Sequence, residues 1–151
     1  MGYIEDLRKI VGSRPLNLVG TAVGVLNQKG EILLQQRLNG VWGVPGGFLE
    51  LGESTEDAGR REVLEETGLQ IGKLELVGVF SGKEHFVTLP NGDEFYPITI
   101  AYVTKEILGG ELEVNKEEGL DAQFFGLYQL PENINPLIPN VLHTYLQTRK
   151  V

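Results

Sequence analysis

Apolar residues recur along this chain at two different periods, and the changes of period mark out its elements. Ile4, Leu7, Ile10 and Val11 stand at helical spacing, which predicts a short amphipathic helix over residues 4 to 11. Val19 to Asn27 and Glu31 to Gln36 are β-rich on either side of Gln28-Lys29-Gly30, predicting two strands around a turn. Leu74 to Phe80 reads as a further strand. Asn91-Gly92, or the Gly92-Asp93 step, reads as a hairpin turn leading into a strand over Tyr96 to Thr104. Gln123 to Leu127 predicts a short strand. Pro131 and Pro136 punctuate the approach to a last helix, whose apolar stripe is Leu137, Val141, Leu142 and Tyr145. Strands interspersed with a few separated helices suggest an α+β fold, or a mixed sheet between helical layers. With no repeat, low-complexity tract or linker, residues 1–151 are expected to form a single domain.

The segment from Gly47 to Leu69 breaks the β-rich pattern with a polar helix. Ser54 or Thr55 is a natural N-cap, and Ser54 with Asp57 has capping-box spacing. Glu56 and Asp57 place negative charge in the first turn, where the helix dipole favours it. Gly68 is suited to a left-handed cap, so the helix is expected over residues 55 to 67. Gly59 lies inside it at a cost of about 1 kcal/mol relative to alanine. Close helix packing or simple drift would each account for it.

On this helix Glu62, Glu65 and Glu66 are spaced i, i+3 and i+4, so their carboxylates share one face. Like charges so placed destabilise an isolated helix by about 0.2–0.5 kcal/mol per pair. A solvated acidic surface is the ordinary explanation of such a cluster. A hard divalent cation is the other, since it converts mutual repulsion into shared coordination. Just upstream, Val44-Pro45-Gly46-Gly47 is a loop whose glycines permit close backbone approach.

Gly47, Glu53, Arg61, Glu62, Val63, Glu65, Glu66, Gly68 and Leu69 meet every constrained position of a known pattern: Gly, a five-residue gap, Glu, a seven-residue gap, then Arg-Glu-aliphatic-any-Glu-Glu-any-Gly-aliphatic. At typical residue frequencies a chance match is on the order of one in ten million, so the pattern is informative. The segment resembles the signature of the Nudix (MutT-type) hydrolases. That resemblance implies an α/β/α sandwich around a mixed β-sheet, and a pyrophosphatase that uses Mg²⁺ or Mn²⁺. It implies Glu62, Glu65 and Glu66 as metal ligands, joined by the backbone carbonyl of Gly46. Glu53 would lie near Arg61, which would orient Glu62 or Glu53 through a bidentate pair. In several relatives the general base comes from a loop late in the chain. Here that loop is Lys116-Glu117-Glu118-Gly119, with Glu118 the first candidate and Glu117 the second. In other relatives a signature carboxylate such as Glu62 serves instead. Glu66→Gln is expected to remove most turnover and leave the fold intact.

Composition narrows the partners. The chain carries a net charge of −8, which argues against a nucleic-acid polymer as the main partner. Seven acids against two bases in the signature segment hold more than half of that excess, so the acidity is local and a cation can offset it. A small phosphorylated nucleotide remains compatible. Zero cysteines exclude disulfides, thiolate metal sites and cysteine nucleophiles, and suit a reducing cytoplasm. The N-terminal segment lacks the apolar core of a signal peptide, and no apolar run approaches a membrane span. A homodimer is compatible with the resemblance, although no residue demonstrates it.

The substrate is less legible. Where relatives that cleave ADP-ribose often carry a proline, this chain has Glu84 and His85; where relatives acting on dinucleoside polyphosphates often carry a tyrosine, it has His85, Phe86 and Val87. Phe80, Phe86 and Tyr96 are candidates for stacking on a base, and Lys83, His85, Arg14 and Arg37 for phosphate contacts. Trp42 is expected to pack and position the glycine loop. The leading expectation is a hydrolase of a nucleoside diphosphate linked to another moiety, as in ADP-ribose or a sugar nucleotide. The alternatives are a nucleoside triphosphate pyrophosphohydrolase for damaged nucleotides and a non-catalytic nucleotide sensor.

Overall fold

The computed structural model describes residues 2–148. In chain order the elements are α1 (Tyr3–Val11), β1 (Leu16–Val25), β2 (Ile32–Arg37), β3 (Trp42–Gly43), β4 (Gly46–Phe48) and α2 (Thr55–Thr67). Next come β5 (Leu69–Ile71), β6 (Glu75–Phe80), a 3-10 turn at Lys83–His85, β7 (Val87–Thr88) and β8 (Glu94–Thr104). The chain closes with β9 (Ile107–Gly110), β10 (Gly119–Phe125) and α3 (Leu137–Thr148).

The two longest strands form the platform. β1 and β8 run parallel, in register from Leu16 opposite Phe95 to Val25 opposite Thr104. A parallel pair requires a long crossover, and α2 lies within it. β4 and β6 flank this pair on opposite edges, both antiparallel, and β7 adds to the start of β8. A second, antiparallel sheet runs β10-β2-β3, and β5 pairs with β9.

Side chains alternate across the β1–β8 pair, and each face has its own apolar cluster. Val23, Val25 and Tyr102 meet Val63 of α2 together with Leu33, Leu69, Ile71 and Leu74. Leu26 and Val103 meet Ile138, Leu142 and Tyr145 of α3, with Ile32 and Leu34. The result is an α+β fold, a mixed sheet between helical layers.

The expected turns form where glycine permits them. Gly30 has φ 76° and Gly92 φ 92°, and each turn is closed by backbone hydrogen bonds. The last strand differs from expectation, spanning Gly119–Phe125 instead of residues 123 to 127. Its backbone pairs back along β2 as far as Arg37, through a register shift between Gly119 and Asp121, so pairing extends it where side-chain pattern does not. At its other end, Gly126 opens a turn closed by the Gln129 amide.

Candidate active site

Helix α2 is built as its sequence dictates. The Ser54 hydroxyl accepts the Asp57 amide at 3.0 Å, and Gly68 ends the helix at φ 78°. A Cβ on Gly59 would stand 3.0 Å from Cγ2 of Val23, so close packing of helix on strand accounts for that glycine.

Arg61 organises the exposed side of the helix. Its Nε and Nη2 donate to the two oxygens of Glu53 at 2.7 and 2.9 Å, forming the bidentate pair. Its Nη1 donates to Glu62 at 2.8 Å and to Glu65 at 3.3 Å, and Nη2 reaches the Phe48 carbonyl at 3.3 Å. The Arg61 guanidinium holds the Glu53 carboxyl below the usual carboxylate range. Glu62 moves the other way. Burial, reinforced by hydrogen bonding with Glu66 and by its negative charge, outweighs Arg61 and pushes the Glu62 carboxyl up to about 7. This carboxylate lies directly against the glycine loop, because a Cβ on Gly47 would come within 2.6 Å of it.

Glu66 points inward and is only 3% exposed. Gln35 Nε2 and Arg37 Nη1 donate to its Oε1, the latter at 2.8 Å, and the Gly46 amide donates to Oε2 at 3.0 Å. Gly46 stands opposite Ala22 on β1, in a register where residues 45 and 49 make the bonds to that strand. Its amide and carbonyl therefore both turn away from β1, toward the carboxylates. No side chain is tolerated here, since a Cβ would collide with the Thr21 carbonyl. The Glu66→Gln substitution, expected to leave the fold intact, carries a stability cost at this site. A glutamine amide would set an N–H₂ group against one of these three donors, and an unmatched buried polar contact costs about 1–3 kcal/mol.

Glu118 of the late loop feels the charges of this site. Burial raises the Glu118 carboxyl, the charges of Glu66 and then Glu65 add to the rise, and Arg37 opposes it. Glu118 thus lies within electrostatic reach of the helix carboxylates.

Glu62, Glu65, Glu66 and the Gly46 carbonyl form a donor set of hard oxygens, and the Glu62–Glu66 repulsion is what a divalent cation would relieve. Chemically the residues fit Mg²⁺ or Mn²⁺. Among the described residues, no three acidic or imidazole groups are already gathered around one point; Arg61 holds Glu62 and Glu65 and neutralises them in part.

A cleft of about 180 Å³ opens beside Gly46 and Arg37, with Trp42, Thr99, Asn135 and Ile138 in its walls. Trp42 packs edge-on against Phe125 with ring centroids 5.0 Å apart, next to the glycine loop. The stacking candidates sit elsewhere: Phe86 and Tyr96 pair with each other at 4.8 Å, and neither they nor Phe80 lines this cleft. Of the phosphate-contact candidates, Arg37 alone lines it.

Gln35, Thr99 and Asn135 escaped the sequence reading. A signal for Gln35 existed. Leu33, Gln35 and Arg37 alternate on one strand face, and Leu33 packs on the α2 side, so the two polar residues continue toward that helix.

The NUDIX domain profile matches residues 16–145. A protein of Methanocaldococcus jannaschii named ADP-ribose pyrophosphatase is 36% identical over 113 residues, 72% of this chain and 62% of that protein. A Bacillus subtilis protein provisionally named an 8-oxo-dGTP diphosphatase is 44% identical over 62 residues, 40% of this chain and 42% of that protein. The chain thus spans less than two thirds of the length of either relative. Among solved structures, a MutT NUDIX hydrolase from Burkholderia pseudomallei aligns with TM-score 0.73 and 25% identity, over 85% of this chain and 98% of that one. The profile match spans the platform strands, the signature helix and most of the last helix, and the chain belongs to the Nudix family.

Proposed function

We propose that the chain is a divalent-metal-dependent hydrolase that cleaves the pyrophosphate linkage of a nucleoside diphosphate joined to another group, of the ADP-ribose or sugar-nucleotide type. The observation that carries this reading is the buried Glu66, bonded to the Gly46 amide beside the cleft, with Glu62 pressed against Gly47. Glu62, Glu65, Glu66 and the Gly46 carbonyl would hold Mg²⁺ or Mn²⁺. Bound there, the ion would neutralise phosphate charge and favour ionisation of a water. Arg61 fixes Glu62 while its own orientation is set by Glu53. Glu118, whose carboxyl is raised toward the working pH, would accept the proton of the attacking water, with Glu117 next to it in reserve. The products would be a nucleoside monophosphate and a second phosphorylated fragment. A small nucleotide substrate and an acidic, cysteine-free chain suit a cytoplasmic enzyme.

The Methanocaldococcus relative supports the ADP-ribose class. The Bacillus relative favours a second reading, pyrophosphohydrolysis of damaged nucleoside triphosphates, over a shorter stretch. Release of pyrophosphate in place of two monophosphates would mark that second reading.

Turnover of ADP-ribose, sugar nucleotides, dinucleoside polyphosphates and normal and oxidised triphosphates, with Mg²⁺ and then Mn²⁺, tests both. Glu65→Gln is the control, because Glu65 is exposed and lies outside the Glu66 network. Metal-dependent hydrolysis of one class, lost in the control, is the expected result. Nucleotide binding without hydrolysis across the panel would instead support a sensor.

A further inference from the structure

Two polar side chains on β2 are unexplained by the fold. Gln35 is 6% exposed in a strand whose preceding residues, Ile32, Leu33 and Leu34, are fully buried core. An amide there is matched only by what it bonds, and its Nε2 donates to Glu66 Oε1. Arg37, two residues on and on the same strand face, donates Nη1 to that same oxygen at 2.8 Å and Nη2 to the Val44 carbonyl at 3.3 Å. A carboxylate oxygen has two lone pairs, so these two donors fill Oε1. Oε2 receives the Gly46 amide and no donor from β2, and keeps acceptor capacity. The strand therefore selects which oxygen of Glu66 is available.

We infer that Gln35 and Arg37 are positioning residues that hold the Glu66 carboxylate with Oε2 as its metal-facing oxygen. This rests on the metal-dependent reading above. Neither residue touches the metal or substrate in this role; each acts through Glu66. Groups that orient a metal-binding carboxylate in this way typically contribute 10- to 100-fold to metal affinity or activity.

The test is Mn²⁺ binding to the substrate-free chain, followed by electron paramagnetic resonance of free Mn²⁺, alongside thermal melting. Gln35→Met keeps length and charge and removes the donor. Mn²⁺ affinity should fall about tenfold or more, with a cooperative melt retained. Arg37→Met supplies an independent sign. Loss of a positive charge near the site would by itself tighten Mn²⁺ binding, whereas loss of orientation weakens it, and weakening is expected. A melting temperature lowered in Gln35→Met with Mn²⁺ affinity unchanged would reduce Gln35 to a structural role and overturn the inference. Tighter binding by Arg37→Met would overturn it for Arg37, and would decide the matter if Gln35→Met did not fold. Failure of the wild-type chain to bind Mn²⁺ would overturn the metal-dependent reading itself, so the two failures are distinguishable.

Discussion

Adjacent glycines at 46 and 47 have different jobs, and substitution separates them. A Cβ at Gly46 meets the backbone of β1, which cannot move without opening the sheet edge. Gly46→Ala should therefore lower stability by about 1–3 kcal/mol, as overpacking does, visible in a denaturant melt. The atoms nearest a Cβ at Gly47 belong to the far end of the Glu62 side chain. Gly47→Ala should melt nearly as wild type, yet lose on the order of 10²-fold in turnover, because it displaces a positioned carboxylate. Equal effects of the two substitutions on stability would contradict this division. Glu62 also gives a pH dependence. Its folded carboxyl titrates near 7, above the ordinary 4.5, so between those values the folded state binds more protons than the unfolded one. Its contribution to stability is present below pH 4.5 and is lost as pH rises through 7. Without metal, the melting temperature should fall more between pH 5 and 8 in wild type than in Glu62→Gln; parallel curves would refute the assignment. Glu53 has the opposite sign, its contribution being lost as pH falls below the ordinary carboxylate range.

Helix α2 was legible from sequence almost to the residue, because each of its instructions is local. The Ser54 cap, the acidic first turn and the Gly68 terminator lie within the helix or next to it. Ser54→Ala should cost about 1 kcal/mol of stability, readable by chemical denaturation. Gly59 is the exception, since its reason lies on another element. Gly59→Ala gains helix propensity but presses on Val23, which is fully buried and has little room to yield. The substitution should destabilise the wild-type chain and stabilise a Val23→Ala background. A double-mutant cycle measures that reversal, and additivity would exclude the packing explanation. Strands β3, β4, β5, β7 and β9 were not legible. Each has two to four residues, too few for a period to register, and exists through partners distant in sequence. The carboxylate cluster was readable because it lies on one helix, whereas the bonds that orient Glu66 come from β2 and Gly46 and were not.

On the scale of the whole molecule, the proposed site in the acidic signature segment would make a divalent cation a stabilising ligand. Mn²⁺ at 100 times its dissociation constant should raise stability by about 2.7 kcal/mol, and Glu65→Gln should lose most of that increment in a thermal-shift titration. No shift in wild type would argue against a metal site. The succession of strands and helices suggested an α+β class and the family resemblance implied the layered sandwich, but side-chain pattern does not say which strands are neighbours. The parallel join of β1 to β8 is such a case, with Leu16 opposite Phe95. That join has a consequence in time. The signature helix can form as soon as its own residues are available, but the strand that carries Gly20, Thr21 and Ala22 gains its long partner only after the chain has extended through Thr104. Pairings so distant in sequence slow folding, because the loop must close before the contact repays it. The glycine loop is therefore expected to be among the last parts of the chain to become rigid during refolding, after the helix that bears the clustered carboxylates.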